Sequence, residues 1–208
     1  MSDKSAVVIG AGVGGLSCAC YLAQEGMQVT VVEKNEQMGG RASVLERDGF
    51  KFDMGPSWYL MPDVFERFFE FFDRKPEDYY EIIRLDPHYR IFFKDQKTVD
   101  IVADVEQNKL VFEQIEKGAG EALGRYLDNS KRTYELGMQN FVYKDRPRLR
   151  DYISLDVLLN ANKISLFGSM QKHVNKYFLD SKLQQIMQYT LVFLGGSPKN
   201  TPALYNLM

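Results

Sequence analysis

Six residues, Gly10-Ala11-Gly12-Val13-Gly14-Gly15, constrain this chain more than any others. An apolar run, Ala6 to Ile9, leads into them. A helical pattern follows, and then a second apolar run, Gln28 to Val32, ends on Glu33. Strand, glycine turn, helix, strand and acid come in the order that a dinucleotide-binding βαβ unit requires. Gly10 permits a tight exit from the first strand. Gly12 offers no side chain, so a pyrophosphate can approach the backbone, and Gly15 lets the helix pack close to the sheet. The start of the helix then directs unpaired N–H groups at phosphate oxygens. Gly10, Gly12, Gly14 and Gly15 are therefore cofactor-binding candidates. Glu33 joins them as the acceptor for a ribose diol, and its charge would repel a 2′-phosphate, which disfavours NADP.

The helix is expected over 16–25, with Leu16, Ala19, Cys20 and Ala23 facing the sheet and Gly26 ending it. Beyond Glu33, Gly39-Gly40-Arg41 reads as a second point of close approach. Gly40 can lie flat against a ligand, and Arg41 carries a fixed charge for a phosphate or a ring edge. Phe50 and Phe52 alternate with Lys51 and Asp53, which predicts a short strand ended by Gly55-Pro56-Ser57.

The character changes near Trp58. Pro62 opens a helix with Phe65, Phe68, Phe69 and Phe72 on one face, a pattern that usually marks core. Residues 80–85, 88–93 and 98–102 read as strands, the last two joined by a turn over 94–97. Asp104 caps a helix to about Glu116, and Gly118 and Gly120 break it. A long helix should run from about Glu121 to Phe141. Helices over 154–159, 165–178 and 182–194 follow, the last capped by Asp180 or Ser181. Thr201-Pro202 should cap one more helix.

Composition removes several function classes. The net charge of −2 leaves no broad basic surface for nucleic acid. Cys18 and Cys20, two apart on one helix, diverge and should not pair, which fits a reducing cytoplasm. The four glycines between Gly10 and Gly15 interrupt the apolar N-terminus, so a signal peptide is not expected. No run is long enough to span a bilayer. His88 and His173 have no cysteine or acid at metal-ligand spacing, there is no nucleophile elbow, and no paired carboxylates stand out. No catalytic residue or metal site can be named. The chemistry must then come from a bound cofactor.

Four elements in series carry a family resemblance: Gly10-x-Gly12-x-x-Gly15, Glu33, Gly39-Gly40-Arg41, and Gly49-x-x-x-Asp53-x-Gly55. Together they resemble the FAD-binding signature of the amine oxidase and phytoene desaturase superfamily. Phe52 to Tyr59 and Phe193 to Tyr205 narrow the resemblance to bacterial-type phytoene desaturases and their diapocarotenoid and isomerase relatives. The resemblance implies an α/β fold: a Rossmann-like FAD-binding βαβ unit, then an α+β substrate domain, truncated. On this reading residues 1–60 belong to the FAD domain and 61–208 to an incomplete substrate-binding, helical domain. Glu33 would bind the adenosine ribose, the Gly39-Gly40-Arg41 turn would lie against the cofactor, and Gly55-Pro56-Ser57 would run near the isoalloxazine. The implied activity is FAD-dependent desaturation of a long polyene of the phytoene or diapophytoene type. Alternatives are a carotenoid isomerase, an amine oxidase, or an inactive nucleotide-binding fragment. The implied partner is an apolar polyene, and the implied location is cytoplasmic and peripheral to the membrane. Family members continue well past Met208, so the chain looks like the N-terminal part of a longer protein that would be inactive alone.

Overall fold

The structure is a computed structural model that describes residues 4–56, 59–138, 143, 148 and 168–207. It divides into two compact units, Met1–Ile83 and Arg84–Met208.

In the first unit, β1 (Ser5–Ile9) pairs in parallel with β2 (Gln28–Val32), placing Ala6 opposite Val29 and Val8 opposite Val31. α1 (Val13–Gln24) links them. Alternation along β1 turns Ala6 and Val8 to one face and Val7 and Ile9 to the other. Ala6 and Val8 are half-buried, whereas Ile9 is 88% exposed. Of the residues expected to face the sheet, Ala19 is buried and Leu16 half-buried, but Cys20 and Ala23 are exposed. Two strands about 5 Å apart cover only a narrow strip of a helix. Another side of α1 presents Tyr21 to α2 (Pro62–Glu70) and the turn after it, with ring centroids 5.7, 4.7 and 5.4 Å from Phe68, Phe71 and Phe72. The phenylalanines thus form no single core face: Phe65 meets Tyr59, and Phe69 stacks on Tyr79. The Tyr21 contacts tie α2 into the compact unit that ends at Ile83.

β3 (Val44–Arg47) and β4 (Phe50–Asp53) form an antiparallel hairpin. Asp48 and Gly49 at its tip have φ of 52° and 83°, the left-handed pair that a two-residue hairpin turn needs. The strand expected at Phe50 is present, and its partner was not foreseen. The strand expected over 80–85 is absent. Its apolar residues find no neighbouring strand, and the Tyr80 hydroxyl instead bonds that of Tyr59 at 2.7 Å.

The second unit holds the main core. β5 (Tyr89–Phe92) and β6 (Thr98–Ile101) form the expected hairpin. The Asp104 carboxylate caps α3 (Val105–Ile115), accepting from the N–H groups of Glu106 and Gln107. α4 (Ala119–Gly137) begins before Gly120. That glycine is a packing residue rather than a break, because a Cβ there would lie 2.8 Å from the Lys109 carbonyl of α3. α5 (Met170–Val174) is shorter than expected. The helix expected over 182–194 is two, α6 (Ser181–Gln188) and α7 (Leu191–Leu194), divided where Tyr189 stacks on Tyr89. Asp180 caps α6. Thr201 does not cap: its hydroxyl donates to the Ser197 carbonyl, and a 3-10 turn over Ala203–Leu207 follows. The helix expected over 154–159 and the ends expected at 139–141 and 165–167 lie outside the described residues. Phe112, Leu123, Tyr126, Met170, Val174, Phe178, Leu183 and Ile186 close the core, with the β5–β6 hairpin packed against it. The Glu116 carboxylate accepts from the N–H groups of Leu179 and Asp180 at 2.9 and 2.7 Å, tying the end of α3 to the start of α6. No described helix is long and apolar enough to cross a membrane.

Candidate functional site

The sequence-predicted residues of the first unit come together as a chain of backbone contacts. At its base, the Gly10 N–H donates to the Val32 carbonyl at 2.7 Å, and φ of +101° turns Gly10 away from the strand. A Cβ on Gly15 would sit 2.0 Å from the Gly10 carbonyl oxygen and 3.5 Å from Val8. Glycine is therefore required for α1 to start so close to β1. The next link joins the two glycine turns. Gly12 and Gly39 form an isolated parallel bridge, and the Gly39 N–H donates to the Ala11 carbonyl at 2.8 Å. A Cβ on Gly40 would lie 3.2 Å from the Gly12 Cα. The last link joins the Gly39-Gly40-Arg41 turn to the end of β4, where a Cβ on Gly55 would fall 1.8 Å from the Arg41 carbonyl oxygen. Pro56 follows on the exposed surface, and Ser57 lies outside the described residues.

Glu33 closes this cradle. Its Oε2 accepts from the Ala11 N–H at 2.7 Å and its Oε1 from the Asn35 N–H at 2.9 Å. These bonds, Asn35 first and then Ala11, hold its carboxyl below the usual glutamate range. A carboxylate has roughly four acceptor positions, so two remain for a diol. The N-terminus of α1 has no side-chain cap and no acid in its first turn. Its partial positive charge is therefore left for a ligand. Gly14, also at this terminus, has open space where a Cβ would be. The Arg41 side chain is exposed and forms no ion pair among the described residues. Backbone N–H groups, an uncompensated helix start and a pre-tied acid fit an anionic dinucleotide.

Two participants escaped the sequence reading. Ala11, 1% exposed, uses its N–H on Glu33 and its C=O on Gly39, so it joins the three parts. A small residue between two glycines was its only signal. Gln37 accepts from the Val44 N–H at 3.1 Å and steadies the second turn, and nothing in the sequence pattern marked it. Among the described residues, no cluster of histidine, cysteine or acid could hold a metal ion.

Comparisons with known proteins agree with this geometry. Residues 8–74 match the family model of the NAD(P)-binding Rossmann-like domain. The chain is 60% identical over 209 residues to a carotenoid 3,4-desaturase of Haloarcula japonica, covering all of this chain and 42% of the relative. It is 36% identical over 202 residues to a zeta-carotene-forming phytoene desaturase of Myxococcus xanthus, covering 97% of this chain and 39% of that one. Among solved structures, wild-type putrescine oxidase bound to putrescine matches with a TM-score of 0.61 at 17% identity, over 98% of this chain and 40% of that one. The chain spans about two-fifths of the length of the curated relatives it matches. Along that span, a dinucleotide-binding α/β unit opens a chain that is similar throughout to carotenoid desaturases and shares its fold with the putrescine oxidase structure.

Proposed function

We propose that this chain supplies the FAD-binding start of a desaturase that acts on a long apolar polyene of the phytoene or diapophytoene type. The observation that carries the reading is the seating of the Gly39-Gly40-Arg41 turn on Gly12, beside a Glu33 already anchored to Ala11. The similarity to carotenoid desaturases supports the substrate class. When bound, FAD supplies the hydride acceptor, so that removing two hydrogens across one carbon–carbon bond delivers a hydride and releases a proton. The chain's own residues bind and orient. The α1 N-terminus and Gly12 receive the pyrophosphate, Glu33 accepts from the ribose hydroxyls, and Arg41 meets a phosphate or a flavin edge. Gly55 and Pro56 would border the isoalloxazine.

Residues 1–60 form the cofactor side of this reading and 61–208 the substrate side. A polyene has no polar handle, so its affinity rests on apolar burial, about 0.8 kcal/mol per methylene. It resides in a bilayer, which places the enzyme at the cytoplasmic membrane surface. The test embeds phytoene or diapophytoene in liposomes with the protein, FAD and a quinone, without oxygen, and follows the visible spectrum. New long-wavelength bands are expected as conjugation lengthens. A change of double-bond geometry with no gain in conjugation would replace desaturation with isomerisation. Reduction of the flavin by amines in place of polyenes would make the protein an amine oxidase.

A further inference from the structure

The Arg84–Met208 unit contains a cavity of about 500 Å³. That volume lies in the range of small-molecule sites. α4 supplies one wall, which grades from apolar to charged along the helix. Leu123 is buried, Leu127 half-buried and Lys131 exposed, and all three line the cavity. They recur every four residues, so they lie on one side of α4, with Lys131 about 12 Å along the axis from Leu123. Ile101 from β6, Phe112 from α3 and Ile186 from α6 complete the apolar part.

The permanent charge on this wall has one sign. Among the described residues that line the cavity, Lys131 is the only lysine or arginine, and none is aspartate or glutamate. His88, Tyr134 and Thr190 also line it and add hydrogen-bonding groups without negative charge. The acids of the surrounding elements are engaged elsewhere. Asp104 caps α3, Asp100 pairs with Arg90 at 2.6 Å, Glu106 pairs with Lys109 at 2.7 Å, and Glu113 accepts from the Gly118 N–H at 2.9 Å. Asp128 and Glu135 share α4 with Lys131, yet neither lines the cavity, and Lys131 forms no ion pair among the described residues. The unpaired atoms Ser130 Oγ and Asn206 Oδ1 are sealed from solvent and take no part.

We infer that this cavity binds a single-chain amphiphile with a carboxylate head, its hydrocarbon tail against Leu123, Phe112 and Ile186 and its head at Lys131. The tail gains from the apolar surface it withdraws from water. The head stays hydrated beside the ammonium, which lysine presents at the end of an apolar stem, so no charge is buried. An alkylammonium would meet Lys131 unfavourably. The inference goes beyond the polyene reading and stands apart from it, since neither flavin nor turnover enters.

The experiment displaces dansyl-undecanoate from the protein with dodecanoate, dodecanol and dodecylamine, each below its solubility limit at neutral pH. The three share a tail and differ in head charge. Dodecanoate should bind about threefold more tightly than dodecanol, the scale of an exposed ion pair, and dodecylamine should bind most weakly. Lys131→Gln should erase the difference between acid and alcohol and leave dodecanol binding as it was. Lys131→Glu should reverse the order and put the amine first. Leu127→Trp fills the cavity and should weaken all three. It is read beside its melting temperature, and the two variants at the exposed lysine keep the test decisive if it fails to fold. Equal binding of acid and alcohol, an acid preference that survives Lys131→Gln, undiminished binding to a folded Leu127→Trp, or no binding of dansyl-undecanoate at micromolar concentration would overturn the assignment.

Discussion

The two units are held together by different means. In the Arg84–Met208 unit, side chains do the work: Val174, Phe178 and Leu183 are wholly buried, and Phe178 meets Phe112 edge to face and Tyr126 at a tilt. In the Met1–Ile83 unit, the only apolar residues of α1, β1 and β2 near full burial are Ala19 and, in the turn, Ala11, while Val7 and Ile9 stand exposed. Its shape near the site comes from backbone hydrogen bonds and from glycines whose neighbours occupy the place of a Cβ. The lesson is a division of labour. A packed core tolerates small shifts by adjusting rotamers, whereas a cradle of touching backbones has no side chain to give way.

Substitutions can break that comparison in order of expected size. Phe178→Ala should lower the unfolding free energy of the second unit by about 3–5 kcal/mol, the usual loss for a buried phenylalanine. Urea unfolding measures it, and the affinity of the remaining folded protein for FAD should stay the same. A matching fall in FAD affinity would show that the units are not independent. In the first unit, Gly55→Ala forces a methyl to within 1.8 Å of the Arg41 carbonyl oxygen. It should displace the turn at a cost of about 1–3 kcal/mol or more and weaken FAD in an isothermal titration. Gly12→Ala is the control. Its Cβ would have the Gly40 Cα at 4.0 Å, an ordinary contact. Stability should therefore hold within about 1 kcal/mol while FAD affinity falls, because the new methyl fills space meant for the ligand.

The smallest expected effect is electrostatic. Glu33→Gln should weaken FAD roughly tenfold and alter the acid limb of binding. The sign follows from the lowered carboxyl. The Glu33 contribution to binding is full while the carboxyl is ionised in the folded protein and is lost as pH falls through its lowered value, below the ordinary 4.5. Wild-type affinity should thus be level from neutral pH down to 4.5 and fall only below it, whereas Glu33→Gln removes that fall. The second unit should respond earlier. Burial depresses the His173 pKa, so the unfolded chain takes up a proton first, and stability declines as pH drops below about 6.5. Circular dichroism melts between pH 5 and 8 would show the difference, and a pH-independent melting temperature would remove the His173 account.

Local signals were readable in the sequence, and non-local ones were not. β1, β2 and the Asp104 cap follow from apolar runs and from a side chain acting on its own next turn. The Gly10, Gly12, Gly15 and Glu33 set was readable because each residue type answers a geometric demand within one βαβ unit. The failures share a cause. Tyr80 to Leu85 has strand composition, but a strand exists only where another chain segment can pair with it. Gly120 looked like a break because its reason lies across the α3–α4 contact at Lys109. Thr201 has the residue type of a cap, yet Ser197 lies one turn back and takes its hydroxyl. The division of α6 from α7 likewise depends on Tyr89, far away in sequence.

The bonds from Glu33 to Ala11 and Asn35 also bear on how quickly the protein loads its cofactor. A loop that must order around its ligand makes arrival slow and lets the partly filled state linger. Here the acid, the first glycine turn and the second are already tied to one another through Ala11. Loading then reduces to stripping water from a dinucleotide and from a surface whose bonds are already made, and the association rate should be set by encounter rather than by rearrangement.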